Sequence, residues 1–475
     1  MDELTGAELK EHTLSRLGFG VSDAAAARYD ELGFNAYVEE QLALATVPQS
    51  TASSWVNSIR PRGGFSQLPG SETQYNTWDY YQRAHIYRPL STERRLLDVL
   101  ADFWWNHFNV AVGSRIEAAT YQGWTDHLPG IASRVLGRFE DLVSFATLNH
   151  SMQSYLDNIF NSVQEPNENL GREILELHTM GVNGGYTQDD VVSASRILTG
   201  WYAAGYNAPG GAIGTLRYNA AYHDAEEKLF LGETFAAGVD GRTEQARLIE
   251  IISNHPETYK RISYKLCQKF VSDEPPAFLV FEGAVVLSNT GGDLLALLRH
   301  ILFSDEFKHR RNFRGKRKRP RHFAASVALG LRRTPNNIDD QRSSVITIPG
   351  IFTTYRLRPE APLLKFVIDG GENLFFFSVP TGYPNVGSHW LSGMMLLRRF
   401  ELASYAAENW SNTLQIDDSL PTSQLIAELE IHLLPGGLTE KSRAEVVLQI
   451  ESAAADARVS TGAQMIMLSP EFLRF

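Results

Sequence analysis

The residue of this chain best placed by type and spacing to do chemistry is a carboxylate inside an apolar helical stripe. In NENLGREILELHTMGVNGGYTQDDV (167–191), Leu170, Ile174 and Leu177 recur at helical spacing and Glu173 falls among them. A buried charge is costly unless it is paired, metal-bound or protonated. The spacing therefore predicts a buried Glu173 in charge-assisted contact. Arg196, on the next predicted helix near Val192 and Leu198, is the first candidate partner, and a site beside Asp157 or His107 is the second. A structural pair with Arg196 would account for Glu173 as well as catalysis does.

Taken with Asp157, Glu173 could form the acid and base of a hydrolase or lyase acting on a saccharide or envelope polymer. Arg196, Trp201, Asn106, His107, Asn169 and Arg172 are then the substrate-binding candidates, with Asn158 and Asn167 extending the polar cluster. Tyr80, Tyr81, Trp104, Trp105, Tyr202 and Trp390 could supply sugar platforms or simply fill helix interfaces. Glu168, Arg172 and Glu176, at i, i+4 and i+8, read as an ion-pair ladder. His107, His178 and His223, the last beside Asp224, raise a metal- or haem-dependent oxidoreductase as an alternative. No HExxH, ExxH or HxH spacing joins them, so no metal ligand is assigned and the cofactor stays unknown. A non-catalytic helical scaffold or binding module is the third class.

The loop MGVNGGYTQDD invites a calcium reading through Asn183, Thr187, Asp189 and Asp190, but it lacks the leading aspartate and closing glutamate of an EF-hand loop. Thr187 as a helix cap with Asp190 at the third position explains it better. The other unusual run is KHRRNFRGKRKRPRHF (308–323). Its charge density predicts a solvent-exposed, irregular 308–319 leading into a helix at Pro320, with a polyanion as possible partner.

These residues need a frame, and the chain supplies a mostly helical one. Over 475 residues it is 43% hydrophobic and 21% charged, as an ordinary globular protein is. Its net charge of -11 disfavours non-specific binding to nucleic acid or anionic membrane. Cys267 is the single cysteine, so neither an internal disulfide nor a thiolate cluster can form. No apolar run is long enough to span a bilayer. MDELTGAELK has no signal-peptide pattern, which reads as cytoplasmic, or exported with its leader removed.

Helical periodicity covers 22–43, 92–110, 131–147, 168–180, 188–199, 243–254, 258–271, 293–303, 321–331, 422–434 and 440–456. The 168–180 and 188–199 helices should pack antiparallel, burying Ile174, Leu177, Val192 and Leu198. β-Branched and aromatic enrichment in 344–379 predicts a hairpin or small β insertion. The expected architecture is mostly α: one large domain with sub-parts 1–205, 206–342, 343–390 and 391–475.

Several segments together resemble the bacterial domain-of-unknown-function family 1800 (DUF1800). They are LSRLGFG (14–20), FWWNHFNV (103–110), SYLDN (154–158), the 167–191 run, ILTGW (197–201), KRP (318–320), GYPNVGSHWLS (382–392) and LSPEF (468–472). The resemblance implies a predominantly helical fold, often found in exported proteins with a twin-arginine-type leader, and it brings no settled activity. This chain departs from the pattern in lacking a leader and in the apparent insertion at 343–380.

Overall fold

The computed structural model describes residues 2–46, 82, 85–111, 127–204, 215–333 and 362–475. Over these residues the protein is mostly α-helical, with two small antiparallel hairpins. The predicted periodic segments form helices Asp23–Thr46, Arg95–His107, Phe139–Thr147, Gln188–Ile197, Gly241–Ser253, Pro256–Phe270, Leu294–Phe303, Pro320–Gly330, Thr422–Leu433 and Glu440–Ser452. One apolar cluster threads them, drawing on Trp104, Phe139, Leu170, Ile174, Leu266, Phe323, Trp410 and Ile466 among many others.

Among the described residues the β structure lies outside 344–379. One hairpin pairs Trp201–Ala204 with Thr215–Tyr218, the other Lys228–Phe230 with Glu233–Phe235. Within 344–379, residues 344–361 lie outside the described residues. LLKFVID, read as strand, is part of the helix Pro362–Asp369, which buries Leu363, Leu364, Phe366 and Val367. A short apolar run fits either period, and here proline in the first turn and burial of the i, i+3, i+4 set select the helix.

The central motif begins as the α-helix Asn169–Glu173 and widens to a π-helix over Ile174–His178. Gly181, at φ 89°, closes it by donating its N–H to the Leu175 carbonyl. The next helix starts with the expected capping box, Thr187 and Asp190 each accepting the other's backbone N–H. The two helices approach closely, since a Cβ on Gly171 would sit 2.2 Å from Ser195 Oγ. Ile174 and Leu198 are buried as predicted, but Leu177 is half-buried and Val192 is exposed, with Val191 turned inward instead.

The basic run departs furthest from expectation. A helix does begin at Pro320, but 308–319 is a strap pinned at both ends. Leu4 N–H donates to the Lys308 carbonyl and Arg310 N–H to that of Asp2, while Lys316 and Phe475 exchange backbone hydrogen bonds. Lys316 and Lys318 are buried. The run's cations find internal partners: Arg310 with Glu8, Arg311 with Glu306, Arg314 with Glu11, Lys316 with Asp273, and Lys318 over the Phe472 ring. Burial requires such matching, so the run's charge is used inside the fold.

Candidate active site

Glu173 stands where the α-helix gives way to the π-helix. It is half-buried rather than buried, and among the described residues no hydrogen bond or ion pair reaches it. Burial, with Glu176 one turn on, pushes its carboxyl above the ordinary value, opposed by Arg172. Tyr155 feels the same group: burial, then the Glu173 charge, push its phenol up to about 12. The Tyr155 hydroxyl donates to the Ser378 carbonyl at 2.8 Å.

The expected Glu173–Arg196 pair does not form. Arg196 instead grips Asp224 with two hydrogen bonds of 2.7 and 3.1 Å. Val192 and Leu198 do not enclose it, because the helix turns this flank towards the 215–235 region. Arg172 belongs to the expected ladder, 2.9 Å from Glu168 and 3.5 Å from Glu176, and also donates to Gln188. Asn169 sits half-buried at the helix start, its N–H donating to the Asn167 side chain.

Asp157 is half-buried with a left-handed backbone, φ 58°, a conformation aspartate tolerates better than most residues. Asn158 and Asn161 behind it donate to the Leu198 and Ser195 carbonyls, tying this turn to the Gln188–Ile197 helix. Trp201 is a strand residue whose indole N–H donates to Gln245. Tyr80 and Tyr81 lie outside the described residues.

A second group gathers where the Arg95–His107 helix ends. His107 Nε2 lies 3.0 Å from the His178 carbonyl, so it carries the proton and leaves Nδ1 to accept from Lys265 at 2.8 Å. Both ring nitrogens are thus committed and neither remains for a metal. Burial, then Arg261, lower the Lys265 ammonium to about 7. His178 is lowered to about 3 by burial, then by Lys265 and Arg261. His223 is remote from this pair, hydrogen-bonded to Thr199 and 3.3 Å from Glu244. Among the described residues no cluster of three or more His, Cys, Asp or Glu suits a metal ion.

Asn106 anchors the GYPN turn: its amide donates to the Tyr383 carbonyl at 2.8 Å and accepts the Tyr383 N–H at 2.7 Å. Gly382, at φ 66°, is required there, since a Cβ would lie 2.1 Å from the Asn106 carbonyl oxygen. Asn109 holds the preceding stretch by donating to the Phe377 and Val379 carbonyls. The 377–383 segment therefore bridges Tyr155, beside Glu173, to the end of the Arg95–His107 helix.

Deeper lies a hub that sequence reasoning missed. Asp102 is buried and meets Arg319 at 2.8 Å, Arg321, and His85 at 3.4 Å. Glu372 takes Arg319 at 3.0 Å and the Arg321 N–H at 2.9 Å. Burial works against the Asp102 charge, but Arg319 and Arg321 prevail and hold it well below the usual carboxylate range. The signal was present: Asp98 and Asp102 lie at i, i+4 in RLLDVLADFWWNH, carboxylates in an apolar helix just as Glu173 is. Lys265 and Lys269 repeat that pattern in YKLCQKF.

Family comparison places this arrangement. The description "Protein of unknown function (DUF1800)" matches residues 12–474, nearly the whole chain. The protein belongs to the DUF1800 family. No curated protein and no solved structure matches it.

Proposed function

We propose that the protein is a general acid–base enzyme, of hydrolase or lyase type, in which Glu173 handles the proton. The observation that carries this reading is the contrast between Glu173 and its neighbours. Glu168, Arg172, Asp190, Arg196 and Asp224 are all engaged in pairs or caps, whereas Glu173 has no partner among the described residues. Partial desolvation raises the Glu173 carboxyl above its ordinary value and so favours its acid form, the direction a general acid requires. Asp157 is the candidate second carboxylate, and Asn169 and Glu176, four residues before and three after, lie on the Glu173 side of the helix. Such a polar face suits a hydroxyl-rich substrate, a saccharide or other polar polymer. Asn106 and His107, first read as substrate contacts, have their polar groups committed to protein partners and fit a positioning role better.

The test is a screen of purified protein on polysaccharides and glycosides, read by new reducing ends and by the ultraviolet absorbance of an eliminated double bond. Glu173→Gln should abolish turnover while leaving the protein folded, and Asp157→Asn should reduce it. Full turnover by Glu173→Gln would overturn the assignment.

A scaffold or binding role is the second reading. It is favoured by the internal pairing of the basic run and of Arg196, which leaves those cations committed within the fold.

A further inference from the structure

We propose that the Ala277–Thr290 helix is a twofold dimer face, at which Phe281 of each protomer seats in a cavity beside the same helix of a second copy. This surface is independent of Glu173.

The helix reads AFLVFEGAVVLSNT, with Glu282 its only charge. One side is covered: Leu279, Val280, Gly283 and Leu287 are buried. Ser263 Oγ, from Pro256–Phe270, donates to the Val280 carbonyl at 2.8 Å, and a Cβ on Gly283 would lie 2.3 Å from that oxygen and 2.8 Å from Leu297 of Leu294–Phe303. On the other side Phe278 is 54% exposed, Phe281 69% and Val285 40%. Their i, i+3, i+7 spacing sets them in one row along the helix. A row of large apolar side chains left open to water marks a surface that meets something else.

Beside that row lies a cavity of about 760 Å³, larger than a phenyl ring needs. Phe278, Leu279 and Phe303 give it an apolar wall, and Glu282, Arg299 and His300 belong to its polar lining. Phe303 is held from behind by Phe34, with ring centroids 5.9 Å apart. Phe281 stands outside the lining, so the most exposed aromatic of the helix projects next to the hollow and does not fill it. A projection and a hollow on one face are what a twofold interface uses, since each copy then supplies the part that fills the other.

The charges around the hollow select for the same occupant. Glu39 takes Arg299 at 2.9 Å, Glu306 takes Arg311, and Asp305 lies 3.8 Å from Lys308. Glu282 has only His300, at 3.5 Å. The rim is therefore close to neutral, which gives a strongly charged peptide or membrane little to bind and a second copy little to repel it. Two partly open phenylalanines, at about 150–250 Å² for a whole ring side chain, together with the valine, the cavity wall and the rim, suit an interface at the small end of specific contacts, roughly 500–600 Å² per partner.

The experiment is sedimentation velocity of the full chain from about 1 to about 200 µM, where an interface of this size gives a dimer with Kd on the order of 10 µM. Association should stop at the dimer, as twofold closure requires. Phe281→Asp should weaken it at least about tenfold, and Phe281→Ser replaces it if the aspartate variant does not fold. His300→Trp adds apolar surface but occupies the hollow, so it too should weaken the dimer. Phe400→Asp, at an exposed apolar position of the Gly393–Trp410 helix, should leave the dimer unchanged. A chain still monomeric at the top of the range, growth past the dimer, or equal loss in Phe281→Asp and Phe400→Asp would overturn the proposal. So would a dimer indifferent to Phe281, and tighter association of His300→Trp would overturn the seating of Phe281 in the hollow.

Discussion

The Glu173 face and the Asp102 hub start from the same sequence feature, a carboxylate in an apolar helix, and resolve it in opposite ways. Asp102 is buried and answered by Arg319, Arg321 and His85, so its charge is kept and its environment is saturated. Glu173 is half-exposed and, among the described residues, unanswered. The difference teaches that position in a stripe predicts strain on a charge but not how it is relieved. Where cations arrive from distant segments the carboxylate becomes architecture. Where none arrives among the described residues, burial raises the carboxyl above its ordinary value.

Acid should have the largest effect, and it acts on both regions. Burial lowers His85 and His178 to about 3, helped by Arg321 and Lys265 respectively, and burial lowers His127 to about 4. Unfolded imidazoles take up protons below about pH 6.5, whereas the folded ones stay neutral to much lower pH. Stability should therefore fall as pH drops from about 6.5, by up to about 1.4 kcal/mol per pH unit for each histidine. Asp102 adds to this lower down. Its folded value lies below the unfolded one, so its contribution is present above about pH 4 and is lost as pH falls further. Urea melts at about pH 7.5, 6 and 5 check this, and constant stability across that range would show that the histidine surroundings are wet.

Next in size is Asp102→Asn. It leaves Arg319 and Arg321 with Glu372 as their remaining carboxylate and should cost about 3–5 kcal/mol in denaturant unfolding. A cost below about 1 kcal/mol would remove the distinction between hub and face.

The smallest effects concern Glu173 itself. A double-mutant cycle between Arg196 and Asp224 should give a coupling of about 1 kcal/mol, and one between Glu173 and Arg196 should give none beyond about 0.5 kcal/mol. The folded pKa of Glu173 is raised, so its ionised form disfavours folding above the unfolded pKa, and that penalty vanishes as pH falls below it. Glu173→Gln should raise Tm slightly at neutral pH and leave it unchanged near pH 4. A lower Tm at neutral pH would reveal a partner for the carboxylate.

Much of the frame was legible because it rests on local rules. The 3.6-residue period marked most long helices, and Thr187 with Asp190 announced the cap between the two central ones. Partners were not legible. Arg196 lies one short loop from Glu173 in sequence, yet its carboxylate is Asp224, which lies beyond the two strands Trp201–Ala204 and Thr215–Tyr218 that no pattern marked. The basic run misled for the same reason. Glu8, Glu11 and Asp273, which neutralise it, come from segments tens to hundreds of residues away, and a local charge count cannot see them. The helix Gly393–Trp410, which follows the GYPN motif, lies outside the predicted periodic segments.

The strap at 308–318 has a further meaning for how the chain reaches its fold. It hydrogen-bonds residues 2–4 on one side and 473–475 on the other, so contacts spanning the whole sequence converge on one short segment. Contacts so distant in sequence carry a large loop-closure cost and form late. During vectorial synthesis residues 2–4 must therefore wait for the strap, and the strap for residues 473–475, before Lys316 and Lys318 can be sealed from water. The segment acts as a clasp, and loss of residues 473–475 would leave buried-type lysines in solvent.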